Sequence, residues 1–270
     1  MTNRFGKATD SACVFARLAA SCLLLLILWQ SNAVHAALSF DGLSRFVMDE
    51  GSGRKQIDIV NDGADPVLVQ VSIEWGDLLE GKELPLAVSN PLMLIPASGR
   101  KSIYVFYQGT SLPKERESYF VLSVLEIPQR PTAPNTLQVA FRHHLKFFYR
   151  PRLNIGLPEA VDKLDWKTIR DKHPTRVKVR NDSPYYLTLT DVDLKSESGE
   201  VCSNAVAHLM LQPFSSHLVE EGACSNSLAE VSYYYVGDSG MTFHRTSRLQ
   251  PEDRSRGALE DQNDSQRGNQ

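Results

Sequence analysis

The chain has 270 residues, with 29 basic and 32 acidic side chains and a formal net charge of −3 at pH 7. The charges are well mixed and form no basic patch, which argues against a nucleic-acid-binding protein. Beyond one apolar run near the N-terminus, no segment approaches transmembrane length, so we expect no stable membrane insertion of the mature chain. The length suits two ordinary domains or one large β-domain.

The first 36 residues have the features of a secretory signal peptide. A basic leader contains Arg4, Lys7 and Arg17. The apolar run CLLLLILW follows, and small residues then precede Ala37 at the positions that a signal peptidase reads. The other interpretation is an N-terminal membrane anchor, but the run is short for a bilayer and no stop-transfer charges follow it. We therefore predict cleavage after Ala36 and export of the mature chain.

Four cysteines are present, and two of them, Cys13 and Cys22, lie within the predicted signal peptide. The remaining pair, Cys202 and Cys224, predicts one disulfide because an even pair in an exported chain is typically oxidised. A metal site is the alternative, but it lacks further ligands at a plausible spacing. We predict no metal.

The segment from Ala37 to Pro151 contains seven strand-like stretches separated by turn signals and no convincing amphipathic helix. This pattern predicts an immunoglobulin-like β-sandwich for residues 37–151. The predicted strands are Leu38–Met48, Lys55–Val60, Val67–Trp75, Leu92–Ile95, Ser102–Tyr107, Tyr119–Ile127 and Thr136–Pro151.

The last of these strands, TLQVAFRHHLKFFYRP, is unusually long and contains a lysine, Lys146, in its apolar second half. Burying an unpaired ammonium is costly, so Lys146 is expected to face a cleft or a carboxylate. The alternative is a core strand with one lysine that extends its stem to reach solvent.

The second half of the chain repeats the plan of the first. Asn181-Asp182 ends one predicted strand as Asn61-Asp62 does in the first half, which favours a second sandwich over residues 152–249. Residues 158–171 are ambiguous. From Gln250 to Gln270 the chain is polar and without periodicity, which predicts a disordered tail. The predicted strands of the second half are residues 175–179, 185–192, 208–211, 217–219 and 228–236.

Four blocks together resemble the periplasmic pilus chaperones of the chaperone–usher pathway. They are Ser44–Val47, Leu112-Pro113 with Glu115–Ser118, Glu126–Pro128 and Leu137–Pro151. The last block is the most specific because its match is long and ordered. The resemblance covers the first predicted domain well and the second loosely.

This resemblance implies an all-β fold of two immunoglobulin-like β-sandwich domains in a boomerang arrangement. It also implies a non-catalytic periplasmic chaperone, without a cofactor, that binds pilus subunits by donor-strand complementation and delivers them to an outer-membrane usher. The donor side chains at the matching positions are Leu137, Val139 and Phe141.

The resemblance further implies a basic pair, Arg45 and Lys146, that binds the C-terminal carboxylate of a subunit in the cleft between the domains. Charge-assisted donors suit a partly desolvated carboxylate. In an unbroken strand, however, Lys146 falls on the face opposite Val139 and Phe141. Either a bulge intervenes or the strand presents its other face at the cleft.

An interdomain ionic network is implied at Glu117, Arg150 and, with a weaker local match, Asp238. The alternative for each of these residues is an ordinary surface charge, which contributes little to stability.

Two other classes of protein compete with this interpretation. One is an exported immunoglobulin-like structural or adhesion module, possibly a pilus component itself, but the mature chain enters a strand too soon after Ala37 to carry its own donor extension. The other is an enzyme that uses His143-His144. The sequence has no serine elbow, HExxH motif or phosphate-binding loop. Adjacent histidines on a strand also point to opposite faces and share a metal poorly.

Overall fold

The computed structural model describes residues 38–76, 83–109, 111–127, 139–169, 176–220 and 228–251, without the side chains of residues 203–205 and 220. The predicted signal peptide, residues 1–36, lies outside the described residues. So do Leu137, Cys224 and most of the predicted tail.

The first domain is a sandwich of two β-sheets. Its strands are β1 (Leu38–Ser39), β2 (Arg45–Asp49), β3 (Arg54–Asn61), β4 (Val67–Trp75), β5 (Leu86–Val88), β6 (Leu92–Ile95), β7 (Arg100–Tyr107), β8 (Ser118–Ile127) and β9 (Arg142–Arg150). One sheet has the order β1-β3-β7-β5, and the other has the order β2-β9-β8-β4-β6. Strand β2 pairs with β9 in parallel, whereas β8 pairs with β9 in antiparallel fashion.

Alternating apolar residues form the core between these two sheets. Strand β4 shows the rule, since Val67, Val69, Val71 and Ile73 are buried and the polar residues between them are exposed. The equivalent alternate residues of β8 and β9 complete the same hydrophobic cluster. This alternation is the period-2 pattern from which the strands were predicted.

The second domain begins with a short helix, α1 (Leu157–Asp162), and continues as a second sandwich. Its strands are β10 (Asp165–Ile169), β11 (Arg176–Asn181), β12 (Leu187–Ser196), β13 (Val201–Leu211), β14 (Ser215–Glu220), β15 (Leu228–Val236), β16 (Thr242–Arg248) and β17 (Gln250–Pro251). Its sheets have the orders β14-β11-β10-β17 and β13-β12-β15-β16. A separate hydrophobic cluster, centred on Trp166 and Tyr233, lies between them.

The structure corrects several predicted elements. The strand predicted over Leu38–Met48 is two strands in different sheets, because Asp41 and Gly42 both adopt positive φ angles, 51° and 76°, and turn the chain. The strand predicted over Thr136–Pro151 begins at Arg142 within the described residues.

Further corrections concern the second half of the chain. The ambiguous segment contains α1 and β10, so the first turn of the second domain is helical. The sequence placed Gln250 and Pro251 in the disordered tail, whereas they form β17 and pair in parallel with Lys167 and Thr168 of β10. Strands β5 and β16 were not predicted.

The predicted fold class is confirmed: the described chain is nearly all β and forms two immunoglobulin-like sandwiches. Among the residues described, none of the helices has the length and hydrophobicity needed to cross a bilayer.

Candidate functional site

The parallel pairing of β2 with β9 places Arg45 directly beside Lys146. These two residues are 101 positions apart in the sequence, but they are register partners in the sheet. Partners on neighbouring strands point their side chains to the same face, and here that face is turned toward the second domain. The structure therefore brings the two predicted anchor residues together in a cleft between the domains.

Arg45 is only 5% exposed and is held against the second domain. Its Nη1 donates to the carbonyl oxygens of Val236, at 2.6 Å, and Gly237, at 3.4 Å. Its guanidinium carbon also lies 4.7 Å from the ring centroid of Phe148. Burial lowers the pKa of Arg45, although the nearby carboxylates of Glu117 and Asp238 oppose that shift. The Nε atom has no hydrogen-bond partner among the described residues, which leaves one buried donor unused.

Lys146 lies half-buried at the same cleft. Its Nζ donates to Thr188 Oγ1 at 3.3 Å and lies 3.0 Å from His208 Nε2. Burial, and then the positive charge of Arg45, lowers the pKa of Lys146 to about 8. Within the described ranges, neither Arg45 nor Lys146 has a carboxylate at salt-bridge distance. Two cations therefore lie side by side in this cleft without an acidic partner among the described residues.

The face that Lys146 occupies follows from the regular pairing of β9. The register with β8 runs without a shift from Arg142 to Tyr149, so no bulge intervenes there. Leu145, Phe147 and Tyr149 enter the core, and Lys146 points to the opposite face. Of the two alternatives left open by the sequence, the strand presents its other face at the cleft.

The predicted donor residues precede β9. Val139 is 54% exposed and Phe141 is 39% exposed, while Leu137 lies outside the described residues. The Phe141 carbonyl accepts a hydrogen bond of 2.8 Å from the Glu126 amide, so main-chain pairing with β8 continues as far as Phe141. The apolar side chains of Val139 and Phe141 are thus exposed to solvent just before β9, the strand that carries Lys146.

Arg150 connects the two domains through carboxylates on both sides. Its Nε donates to Glu117 Oε1 at 2.7 Å, and its Nη1 and Nη2 donate to the two oxygens of Asp238, also at 2.7 Å. The second oxygen of Glu117 accepts a hydrogen bond of 2.9 Å from the Tyr186 amide of the second domain. The structure thus brings together the three residues of the predicted network.

The carboxylates of this network differ in their surroundings. Glu117 is 2% exposed, and burial raises its pKa even though Arg150 opposes the shift. Asp238 is half-exposed. Burial raises the pKa of Asp238, but the hydrogen bonds and charge of Arg150 outweigh that effect and lower it.

Sequence reasoning missed the second-domain side of the cleft, which consists of Thr188, His208 and the carbonyls of Val236 and Gly237. The alternation in YYLTLTDV placed Tyr186 and Thr188 on one face, but nothing in it indicated what that face meets. Backbone carbonyls leave no signal in a sequence.

Other predicted sites can be located in part. Cys202 is disulfide-bonded, while Cys224, its expected partner, lies outside the described residues. His143 pairs with Glu126 at 2.6 Å and packs edge-on against Phe40, whereas His144 is exposed on the other face of β9. No group of three or more potential metal ligands occurs among the residues that the structure describes.

Two immunoglobulin-like sandwiches joined by an ionic network, with a pair of cations in the cleft between them, define a two-domain binding protein. Comparison with known families identifies the class. The family model described as "Pili and flagellar-assembly chaperone, PapD N-terminal domain" matches residues 42–154. The model described as "Pili assembly chaperone PapD, C-terminal domain" matches residues 159–247. The chain belongs to this family of pilus assembly chaperones, and the resemblance seen in the sequence is confirmed.

Individual relatives agree with this assignment. The probable fimbrial chaperone YadV of Escherichia coli K12 is 30% identical over 244 residues, which cover 85% of this chain and 96% of the relative. The chaperone protein FimB/FhaD of Bordetella pertussis is 31% identical over 222 residues, covering 77% of this chain and 86% of that protein. The crystal structure of YadV superposes with a TM-score of 0.65 at 27% identity, over 79% of this chain and all (100%) of YadV. The protein therefore has a chaperone role in pilus assembly.

Proposed function

We propose that the protein caps pilus subunits in the periplasm by binding the C-terminal carboxylate of a subunit between Arg45 and Lys146. The observation that carries this proposal is the placement of these two cations side by side in the cleft without a carboxylate partner among the described residues. Burial lowers the pKa of both side chains, and the charge of Arg45 lowers that of Lys146 further, so holding charged groups in this partly desolvated cleft is unfavourable. An incoming carboxylate removes that penalty.

The chemistry of the cleft suits a carboxylate. Arg45 offers a planar guanidinium group, and Lys146 offers an ammonium that can turn away from Thr188. Hydrogen bonds between charged groups in such a site are stronger than neutral ones. The main chain of β9 beside the cleft then aligns the rest of the bound segment.

The exposed segment before β9 supplies the second part of the proposed mechanism. Val139 and Phe141, with Leu137 preceding them, would enter an apolar groove of a subunit that lacks one strand, while the main chain pairs with the open sheet edge. An unpaired edge promotes aggregation, so pairing it protects the subunit. This is donor-strand complementation.

We further propose that the signal peptide directs the chain to the periplasm and that the loaded chaperone delivers its subunit to an outer-membrane usher. One relative is named a probable fimbrial chaperone and the other a chaperone protein, and both names support a role in assembly rather than catalysis. The proposed cycle requires no cofactor and no nucleotide. An exported structural or adhesion module is not favoured, because such a module has no need for the paired cations.

The proposal predicts that Arg45→Ala and Lys146→Ala each strongly reduce the capture of subunits. Wild-type protein and each variant would be co-expressed with the pilus subunits encoded nearby and purified from the periplasm. Lys101→Ala is a matched control, because Lys101 is exposed on β7 of the opposite sheet. Circular dichroism would first establish that each variant folds.

We expect the wild type and Lys101→Ala to retain a subunit and both cleft variants to lose at least about tenfold in recovered complex, in keeping with the loss of a charged hydrogen bond. Folded cleft variants that retain the subunit would refute the carboxylate anchor. If the wild type captured nothing, the proposal as a whole would be wrong.

A further inference from the structure

His208 stands on β13 at the second-domain wall of the cleft, and its Nε2 lies 3.0 Å from Lys146 Nζ. A protonated amine can only donate, so the imidazole must be the acceptor in this contact. The Nε2 atom is then unprotonated and His208 is neutral when the cleft is empty. Lys146 is thereby held between Thr188 and His208, both of which come from the second domain.

We propose that His208 is a third member of the carboxylate site: it holds Lys146 while the cleft is empty and donates, as an imidazolium, to the carboxylate of a bound subunit. This inference rests on the proposed function, since it concerns the same cleft and the same carboxylate. It assigns the second domain a direct part in capture, and it couples capture to the uptake of a proton.

The charges around His208 favour the neutral imidazole in the empty cleft. Burial, and then the charge of Lys146, lowers the pKa of His208. On its own sheet, the register places Thr190 directly opposite His208, with Tyr234 and His244 beyond. The titratable or charged residues on the surrounding strands include Arg45 of β2, Lys146 of β9, Asp191 and Asp193 of β12, His217 of β14, Tyr234 of β15 and His244 of β16.

A bound carboxylate reverses this preference. A negative charge close to the ring favours the imidazolium, so the pKa of His208 rises when the cleft is occupied. Binding then takes up a proton, and the affinity increases as the pH falls through the range in which histidine titrates. Each unit by which the carboxylate raises that pKa corresponds to about a tenfold gain in affinity at low pH.

Lys146 should produce a second, separate change in affinity with pH. Its pKa in the empty cleft is about 8, and a carboxylate raises it, so affinity should also fall as the pH rises above about 8. This upper step belongs to Lys146 and does not require His208. The two steps therefore distinguish the inference about His208 from the proposed function itself.

The test uses the full mature chain and a synthetic peptide that reproduces the C-terminal strand of the neighbouring pilus subunit. The peptide would be made with a free C-terminal carboxylate and, separately, with a C-terminal amide. Dissociation constants would be measured by isothermal titration calorimetry from about pH 5 to about pH 9, the range that spans both titrations. The variants are His208→Gln, which keeps hydrogen-bonding capacity without a charge, and the control His217→Gln on the other sheet.

For the wild type and His217→Gln, we expect binding of the free-acid peptide to tighten by about threefold to tenfold between about pH 7.5 and pH 5.5. His208→Gln should bind the same peptide without that step but should keep the weakening above about pH 8. The amide peptide should bind weakly and without the acidic step.

An acidic step that persists in His208→Gln, or that appears equally with the amide peptide, would overturn the role of His208 while leaving the anchor intact. Absence of binding by the wild type at every pH would overturn the proposed function, and this inference with it.

Discussion

In both domains, a buried asparagine stabilises a turn through the same pattern of hydrogen bonds to the main chain. In the first domain, the buried amide of Asn61 donates to the carbonyls of Asp65 and Pro96, at 2.8 and 2.9 Å, and its oxygen accepts from the Gly63 amide at 3.0 Å. In the second, Asn181 repeats this pattern. It donates to the carbonyls of Tyr185 and Gln212, both at 2.8 Å, and accepts from the Ser183 amide at 3.0 Å.

The domains differ in the charge that they bury. Within the described residues, the buried charged side chains all belong to the first domain: Arg45, Glu117 and Glu126. The buried polar side chains of the second domain are uncharged. The second domain contacts two of those charges, Arg45 through carbonyl oxygens and Glu117 through the Tyr186 amide. The same turn thus stabilises each domain, whereas the buried charges of the cleft come from the first domain alone among the described residues.

The largest effect is expected from removing the buried acid of the interdomain network. Glu117→Ala leaves Arg150 and the Tyr186 amide without a buried partner, which we expect to lower the free energy of unfolding by about 3–5 kcal/mol. Asp238→Ala removes a half-exposed carboxylate and should cost about 1 kcal/mol or less. Urea denaturation followed by tryptophan fluorescence would measure both. Equal losses of unfolding free energy in the two variants would contradict the difference in buried charge between the domains.

A loss of stability of intermediate size is expected from removing either turn asparagine, and it should be similar in the two domains. Asn61→Ala and Asn181→Ala each leave buried carbonyls unpaired, so each should lower the free energy of unfolding by about 2–4 kcal/mol. The control is Asp62→Ala, whose exposed side chain should change stability by about 0.5 kcal/mol or less. Thermal and urea unfolding would check this. A large loss in one asparagine variant alone would show that the two turns are not equivalent.

The smallest effect concerns the loss of stability caused by burying the charge of Lys146 in the cleft. Because the pKa of Lys146 falls from its ordinary value of 10.5 to about 8 on folding, the charged lysine destabilises the folded state below about pH 8. This penalty fades as the pH rises from about 8 toward 10.5, where the unfolded state loses its proton as well. Lys146→Met should therefore stabilise the protein at pH 7 by about 1–2 kcal/mol, allowing for solvent screening of a half-buried charge.

Urea denaturation at pH 7 and near pH 10 would test this prediction, with Lys101→Met as the exposed control. The advantage of Lys146→Met over the wild type should shrink at the higher pH. A Lys146→Met protein that is less stable than the wild type at pH 7 would mean that the contacts of Lys146 with Thr188 and His208 outweigh its desolvation.

Much of the fold could be predicted because period-2 alternation directly reflects which residues face a core. Strand β4 was predicted with its observed bounds, Val67–Trp75, and the repeated asparagine turns indicated two sandwiches of one plan. Short elements such as β5 and β17 were missed because a pattern of two or three residues carries little information.

From the sequence alone, ordered motifs predicted the class of protein, and the resemblance that they carry pointed to Arg45 and Lys146 and to the charged residues between the domains. Only the tertiary structure decided that β9 turns Lys146 away from its core face and that β2 lies parallel to it, which places Arg45 alongside. It also decided that His208 and the carbonyls of Val236 and Gly237 form the opposite wall. Those contacts depend on the packing of one domain against the other, and alternation along a single strand records which face is polar but not what that face meets.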